Sequence, residues 1–172
     1  AHMLTASFIT GALLVLGTSA WHFLKGRRSA PLKKMHRMAL LALIILTPTQ
    51  VLIGDLHGLQ VLEHQPEKLA AMEGHWDQVE EGESTGLILV GWPDMEAKKT
   101  HFAIEIPMMA SLILTHSVDG QIPVLNQFAE EDIPNVPIVF WAFRIMVGLG
   151  FLMVALAAWG FWVNRKKTIF DS

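Results

Sequence analysis

An all-α polytopic membrane protein is the fold class this sequence predicts, with three transmembrane helices and a long extracytoplasmic loop that carries short helices. Three observations predict it. Of 172 residues, 52% are hydrophobic and only 17% are charged, a composition too apolar for an ordinary soluble domain. The apolar residues gather in three runs long enough, at about 1.5 Å per residue, to cross a hydrocarbon core of about 30 Å. The charges between those runs segregate by sign: residues 25–37 hold six basic and no acidic residues, whereas residues 55–137 hold fifteen acidic residues against three lysines. Cysteine is absent, which excludes a disulfide framework and thiolate metal ligation. The chain opens at Ala1-His2, with no initiator methionine and no basic stretch before its first apolar run, and reads as a fragment rather than as a signal peptide.

Each element follows from its residues. Residues 1–24 are apolar or small apart from His2 and His22, and form the first transmembrane helix. The basic loop at 25–37 is cytoplasmic by the positive-inside rule. Residues 38–54 form the second transmembrane helix, with Pro48 and Gln50 near its far end. Pro48 removes a backbone hydrogen bond, so this helix must be packed against groups that satisfy the freed carbonyl. The segment 55–137 is opposite in charge to the first loop and belongs outside the cytoplasm. Within it Pro66 suits the first position of a short helix, and Gly74 ends that helix. Residues 87–90 read as a strand before a turn at Gly91-Trp92-Pro93-Asp94. Residues 102–115 contain Glu105 and Pro107 and are too short to span, so they read as one buried or interfacial piece. Pro137 can open the third transmembrane helix at 138–163. Residues 164–172, with Arg165, Lys166 and Lys167, form a cytoplasmic tail. The topology is out, in, out, in, with the lipid bilayer as solvent and no nucleic-acid partner.

Polar groups in apolar helices need a reason, because burying one unpaired in lipid costs several kcal/mol. Arg144 lies about two turns into the third helix. It either snorkels to the outer headgroups or serves as a cation beside an anionic cofactor or substrate group. Met146 lies roughly 12 Å below the start of that helix, and His2 roughly 33 Å above the cytoplasmic end of the first, so both fall towards the outer side. An imidazole and a thioether at similar depth suit the axial positions of a b-type haem. The small residues Thr5 and Ala6 near His2, and Gly148 and Gly150 after Met146, leave room for a macrocycle. A lone methionine in a helix is, on its own, ordinarily core filler. His22 and His36 flank the basic loop and are placed at the interface, while His57, His64, His75, His101 and His116 lack the spacing of a metal site. In the Pro66 helix Glu73 can accept a proton and Lys68 can stabilise an anion, as quinol oxidation requires. Five helical residues turn through about 140°, so the two do not share one face unless the helix ends or distorts near Gly74. A solvated helix with scattered charges is the competing reading.

The motifs Gly54-Asp55, His57-Gly58, Gln65-Pro66, Lys68-Leu69-Ala70-Ala71-Met72-Glu73 and Trp76, then Phe102-Ala103-Ile104, Pro107 and Phe143-Arg144-Ile145-Met146, resemble subunit I of the cytochrome bd-type quinol oxidases. The resemblance extends over nearly the whole chain, in order. It implies that His2 and Met146 are axial ligands of the iron of a low-spin haem b, with Arg144 beside that haem. It implies that Lys68 and Glu73 act in oxidation of a quinol, ubiquinol or menaquinol. The loop is short, which resembles the short-loop and often cyanide-insensitive class. The resemblance further implies oxidase subunit II as partner, a prokaryotic plasma membrane location, and a high-spin haem b and haem d whose ligands lie outside this sequence. The fragment alone is then expected to be inactive. A non-enzymatic helical membrane protein with an acidic external partner-binding domain is the alternative.

Overall fold

The computed structural model describes residues 1–80 and 82–165. Eight elements follow in order: α1 His2–Leu24, α2 Ala30–His64, α3 Pro66–Glu73, β1 Leu87–Asp94, β2 Lys99–Ile106, α4 Met109–Thr115, a 3-10 turn at Leu125–Gln127, and α5 Val136–Arg165. The class is mainly helical with one small antiparallel sheet. By length and composition α1, α2 and α5 are able to cross a membrane. Phe8, Leu14, Leu41, Ile45, Leu149, Phe151 and Trp159 are exposed on them, and helices apolar on every side are what a hydrocarbon solvent requires. Of the tail expected at 164–172, residues 166–172, Lys166 and Lys167 among them, lie outside the described residues.

Two compact units divide the chain: Ala1–Asp55 with α5 from Gly148 onward, and Leu56–Val147. In the first, Ile9, Leu43 and Ala157 form the buried core, with Leu13, Leu16 and Met153 packed against it. Gly160 admits Leu40 closely, since a Cβ there would stand 2.8 Å from Leu40 Cδ1. His36 is buried. The Ser19 hydroxyl donates to Leu16 O at 2.8 Å and accepts His36 Nδ1–H at 2.8 Å, which removes the imidazole from solvent without leaving it unpaired.

The second unit is built on two small cores. Ala70, Ala71, Trp76, Leu125 and Val136 form one; Leu69, Ala110, Leu114 and Ile122 form the other, with Val61 and Leu62 of α2 packed on it. That packing explains why α2 continues to His64, beyond the expected end at residue 54. At its other end α2 begins at Ala30, inside the basic loop, with Pro31 near its start where a missing N–H costs little. The strand expected at 87–90 runs on through Gly91-Trp92-Pro93 to Asp94, and the reversal falls one step later. Proline is tolerated there because a two-stranded sheet has only edge strands. The expected single piece at 102–115 divides around Pro107, which cannot donate to a ladder, into β2 and α4. The hairpin pairs Leu87 with Ile106 and Asp94 with Lys99, with register shifts either side of Val90. Phe102 lies in this irregular stretch at φ 53°, a strained value for a bulky residue, and stands 91% exposed.

Candidate functional site

The site begins with the way α3 packs. Pro66 opens it, and Gly74 closes it at φ 78°, donating its N–H to Ala70 O at 2.8 Å. Leu69, Ala70 and Ala71 are buried, and Glu73, one turn beyond Leu69 and Ala70, shares their face and is buried with them. Lys68 falls on the opposite side and is exposed. The helix thus separates the two residues named for quinol chemistry, and neither its end nor Gly74 brings them back together.

Glu73, only 4% exposed, meets Arg144 instead. Arg144 Nη2 stands 3.4 Å from Glu73 Oε2 and 3.5 Å from Glu73 O, while Nε donates to Ile88 O on β1 at 2.6 Å. The guanidinium lies over Phe140 at 4.7 Å and beside Phe143 at 5.3 Å. Arg144 therefore turns inward rather than reaching for headgroups. Burial pushes the Glu73 carboxyl above the ordinary carboxylate range, while the charges of Arg144 and His75 and the Arg144 hydrogen bond pull it back in part. At 3.4 Å the contact exceeds the about 2.7–2.9 Å of a tight charge-assisted bond, so the arginine does not cancel the cost of burial. The result is a buried carboxyl able to hold a proton beside a fixed cation.

Gly74 fixes this arrangement from below. A Cβ at Gly74 would stand 2.9 Å from Phe140 Cδ2, so the αL turn that ends α3 lies directly on the ring that carries Arg144. Thr100 Oγ1 donates to Gly74 O at 2.6 Å, tying β2 to the same turn. Between them opens a cleft of about 180 Å³ lined by Gly74, His75, Asp77, Ile88, Thr100 and Glu105, among others. His75 Nε2–H donates to Gly86 O at 2.8 Å. His75, Thr100 and the Ile88 carbonyl were not marked by sequence reasoning. Only His75 had a signal, its place directly after the glycine that ends α3.

His2 belongs to the first unit and Met146 to the second. His2 accepts a hydrogen bond at Nε2 from Gln50 Nε2 at 2.9 Å, and a Cβ on Gly54 would come within 3.5 Å of the same atom. Met146 is 50% exposed on α5, and Gly148 and Gly150 have nothing within 4 Å of where a Cβ would be. One turn before Arg144, the buried Trp141 Nε1 has no acceptor among the described residues.

Three apolar spans and a second unit that holds a buried acid–arginine pair describe a polytopic membrane protein. The family profile described as cytochrome bd terminal oxidase subunit I matches residues 1–171. The chain is 32% identical over 136 residues to cytochrome bd-II ubiquinol oxidase subunit 1 of Escherichia coli, covering 78% of this chain and 26% of that protein. It is 28% identical over 180 residues to cytochrome bd ubiquinol oxidase subunit 1 of Bacillus subtilis, covering 99% and 38%. The solved bd oxidase from Geobacillus thermodenitrificans superposes with a TM-score of 0.80 at 32% identity, over 92% of this chain and 35% of that one. The chain belongs to the cytochrome bd terminal oxidase subunit I family. It spans between 26% and 38% of the length of these relatives.

Proposed function

We propose that this chain supplies the quinol-oxidising part of a terminal oxidase of the prokaryotic plasma membrane, taking electrons from quinol at the outer loop and passing them to a low-spin haem b. The observation that carries this is the buried Glu73–Arg144 pair. A quinol releases protons as it releases electrons, and Glu73 is the acceptor for one of them. Its raised affinity brings it closer to the pH at which a general base is most effective. Arg144 holds the carboxylate in place before uptake and, as a permanent cation, cannot compete for the proton. Lys68, on the exposed face of α3, offers its ammonium to the electron-rich quinol oxygen from the open side. The separation of the two residues gives them different tasks.

His2 and Met146 would hold the haem iron, and Arg144 with Trp141 would face its carboxylates. When bound, the haem supplies the one-electron acceptor. The high-spin haem b, the haem d and subunit II belong to the complete assembly. The Escherichia coli relative is a ubiquinol oxidase by name and a further Bacillus subtilis relative is a menaquinol oxidase by name; the quinol class is shared by both. The test is Glu73→Gln in the full-length oxidase. Quinol turnover should fall by at least about a hundredfold, the usual scale for losing a general base, with the low-spin haem b spectrum retained. Loss of that spectrum with normal turnover per remaining haem would give Glu73 a structural role only.

A further inference from the structure

A carboxyl that is to take up a proton beside an arginine must be kept from pairing with it too well. A guanidinium closed on a carboxylate as a two-nitrogen fork, at about 2.7–2.9 Å, holds the carboxylate ionised and makes it a poor base. Among the described residues one nitrogen of Arg144 alone meets Glu73: Nη2, 3.4 Å from Oε2 and 3.5 Å from the Glu73 carbonyl. The other contacts of the guanidinium hold it off. Nε is committed to Ile88 O at 2.6 Å, and the guanidinium carbon lies 4.7 Å from the centre of the Phe140 ring. We propose that Phe140 is a positioning residue of this site: its ring, fixed between the turn at Gly74 and the guanidinium, keeps Arg144 seated on the Ile88 carbonyl and so keeps it from closing on the Glu73 carboxylate. This rests on the reading of Glu73 as the proton acceptor from quinol.

Phe140 can do this because it has no room to move. It is 0% exposed, and Trp141 meets it edge-on with the ring centres 5.8 Å apart. Gly74 comes so close that a Cβ there would stand 2.9 Å from Cδ2 and 3.0 Å from Cε2. Phe140 lies one turn before Arg144 on α5, so ring and guanidinium share a helix face. The face of a buried ring attracts a desolvated cation, which gives the guanidinium a seat that competes with the carboxylate. Phe143 also lies beside it, at 5.3 Å, but is only partly buried. The charges that bear on Glu73 are Arg144 from α5 and His75 from the turn after α3. Around them Lys68, Glu96, Lys98, Lys99 and Glu105 are exposed, Glu67 lies in the first turn of α3, Asp77 is bonded to Asn126, and Asp94 pairs with His101 at 3.7 Å. How closely Arg144 approaches is therefore the adjustable part of the balance.

Phe140→Leu in the full-length oxidase is the test, because it keeps an apolar side chain and removes the ring face. Followed across pH, kcat/KM for quinol should rise along an acid limb set by Glu73, since a base must be ionised to act. With the ring gone the guanidinium closes on the carboxylate, and the limb should move to lower pH by about one unit. A limb that stays where it was would overturn the proposal whether or not turnover falls, because loss without a shift marks packing alone. A limb that moves to higher pH would overturn it as well. Site-specific exchange of Phe140 for a fluorinated phenylalanine weakens the ring face at nearly constant volume; it should give a smaller shift in the same direction, and it decides the matter if Phe140→Leu does not assemble. Glu73→Gln, measured beside them, should abolish the limb. If the limb survives there, the reading of Glu73 falls, and that failure is visible in the Glu73 variant alone.

Discussion

The two units satisfy their polar side chains by opposite means. In the spanning unit most hydroxyls bond within their own helix: Thr10 Oγ1 donates to Ala6 O, Thr18 Oγ1 to Leu14 O, and Thr47 Oγ1 to Leu43 O, each four residues back. In the second unit, Leu56–Val147, the buried groups find partners far along the chain. Glu73 and Arg144 are 71 residues apart, Arg144 and Ile88 are 56 apart, and Thr85 and Ser111 are 26 apart. Hydrocarbon tolerates only polar groups that bring their own partner, so local satisfaction dominates there. The second unit has small cores, and long-range polar bonds are what fix α3, the hairpin and the first part of α5 to one another.

The sharpest way to break this contrast is Arg144→Leu. It leaves Glu73 buried without its cation, and removing one partner of such a pair costs about 3–5 kcal/mol. The pH dependence gives the sign. Burial raises the folded-state affinity of Glu73 for its proton, so between the unfolded and folded values the folded chain binds more protons and stability falls as pH rises. Without Arg144 that fall should steepen, and the destabilisation should be least at acid pH. Thermal unfolding of the solubilised full-length oxidase across a pH series measures it. A loss of stability that grows towards low pH would mean that the pair does not hold a burial-strained carboxyl.

A smaller effect separates the two kinds of hydroxyl. Ser111 Oγ accepts from the Thr85 N–H at 2.8 Å, and both residues are fully buried, so Ser111→Ala orphans a backbone donor at about 1–3 kcal/mol. Thr18→Val removes a hydroxyl whose acceptor already serves the helix, so its cost should stay within about 0.5 kcal/mol. Denaturation of the two variants side by side checks the pair; equal losses would erase the distinction between local and long-range satisfaction.

The same contrast decides what could be read from the sequence. The three spans were legible because their signal is composition over some twenty residues. Pro66 and Gly74 marked the limits of α3 because a missing N–H and a left-handed turn are local requirements. The extension of α2 to His64 was hidden, since it depends on Val61 and Leu62 packing against α4 and Ile122. The hairpin was half legible: its first strand showed in Leu87-Ile88-Leu89-Val90, but Pro93 read as a stop although an edge strand accepts it. Glu73, Lys68 and Arg144 each stood out in the sequence, yet the contact between Glu73 and Arg144 did not. The 140° separation along α3 already argued that Lys68 and Glu73 part company. Which of them turns inward was set by Leu69, Ala70 and Ala71, and the arginine that meets it comes from a helix 71 residues away.

The central claim is that Glu73 changes its protonation when quinol delivers its electrons. Redox-induced infrared difference spectroscopy on the full-length oxidase reads this directly, because a protonated carboxyl has a carbonyl stretch that a carboxylate lacks. The expected result is a carboxyl band that responds to quinol oxidation and to deuterium, is absent in Glu73→Gln, and is altered in Arg144→Leu. A redox-linked carboxyl signal that persists unchanged in Glu73→Gln would contradict the assignment and place the proton acceptor elsewhere.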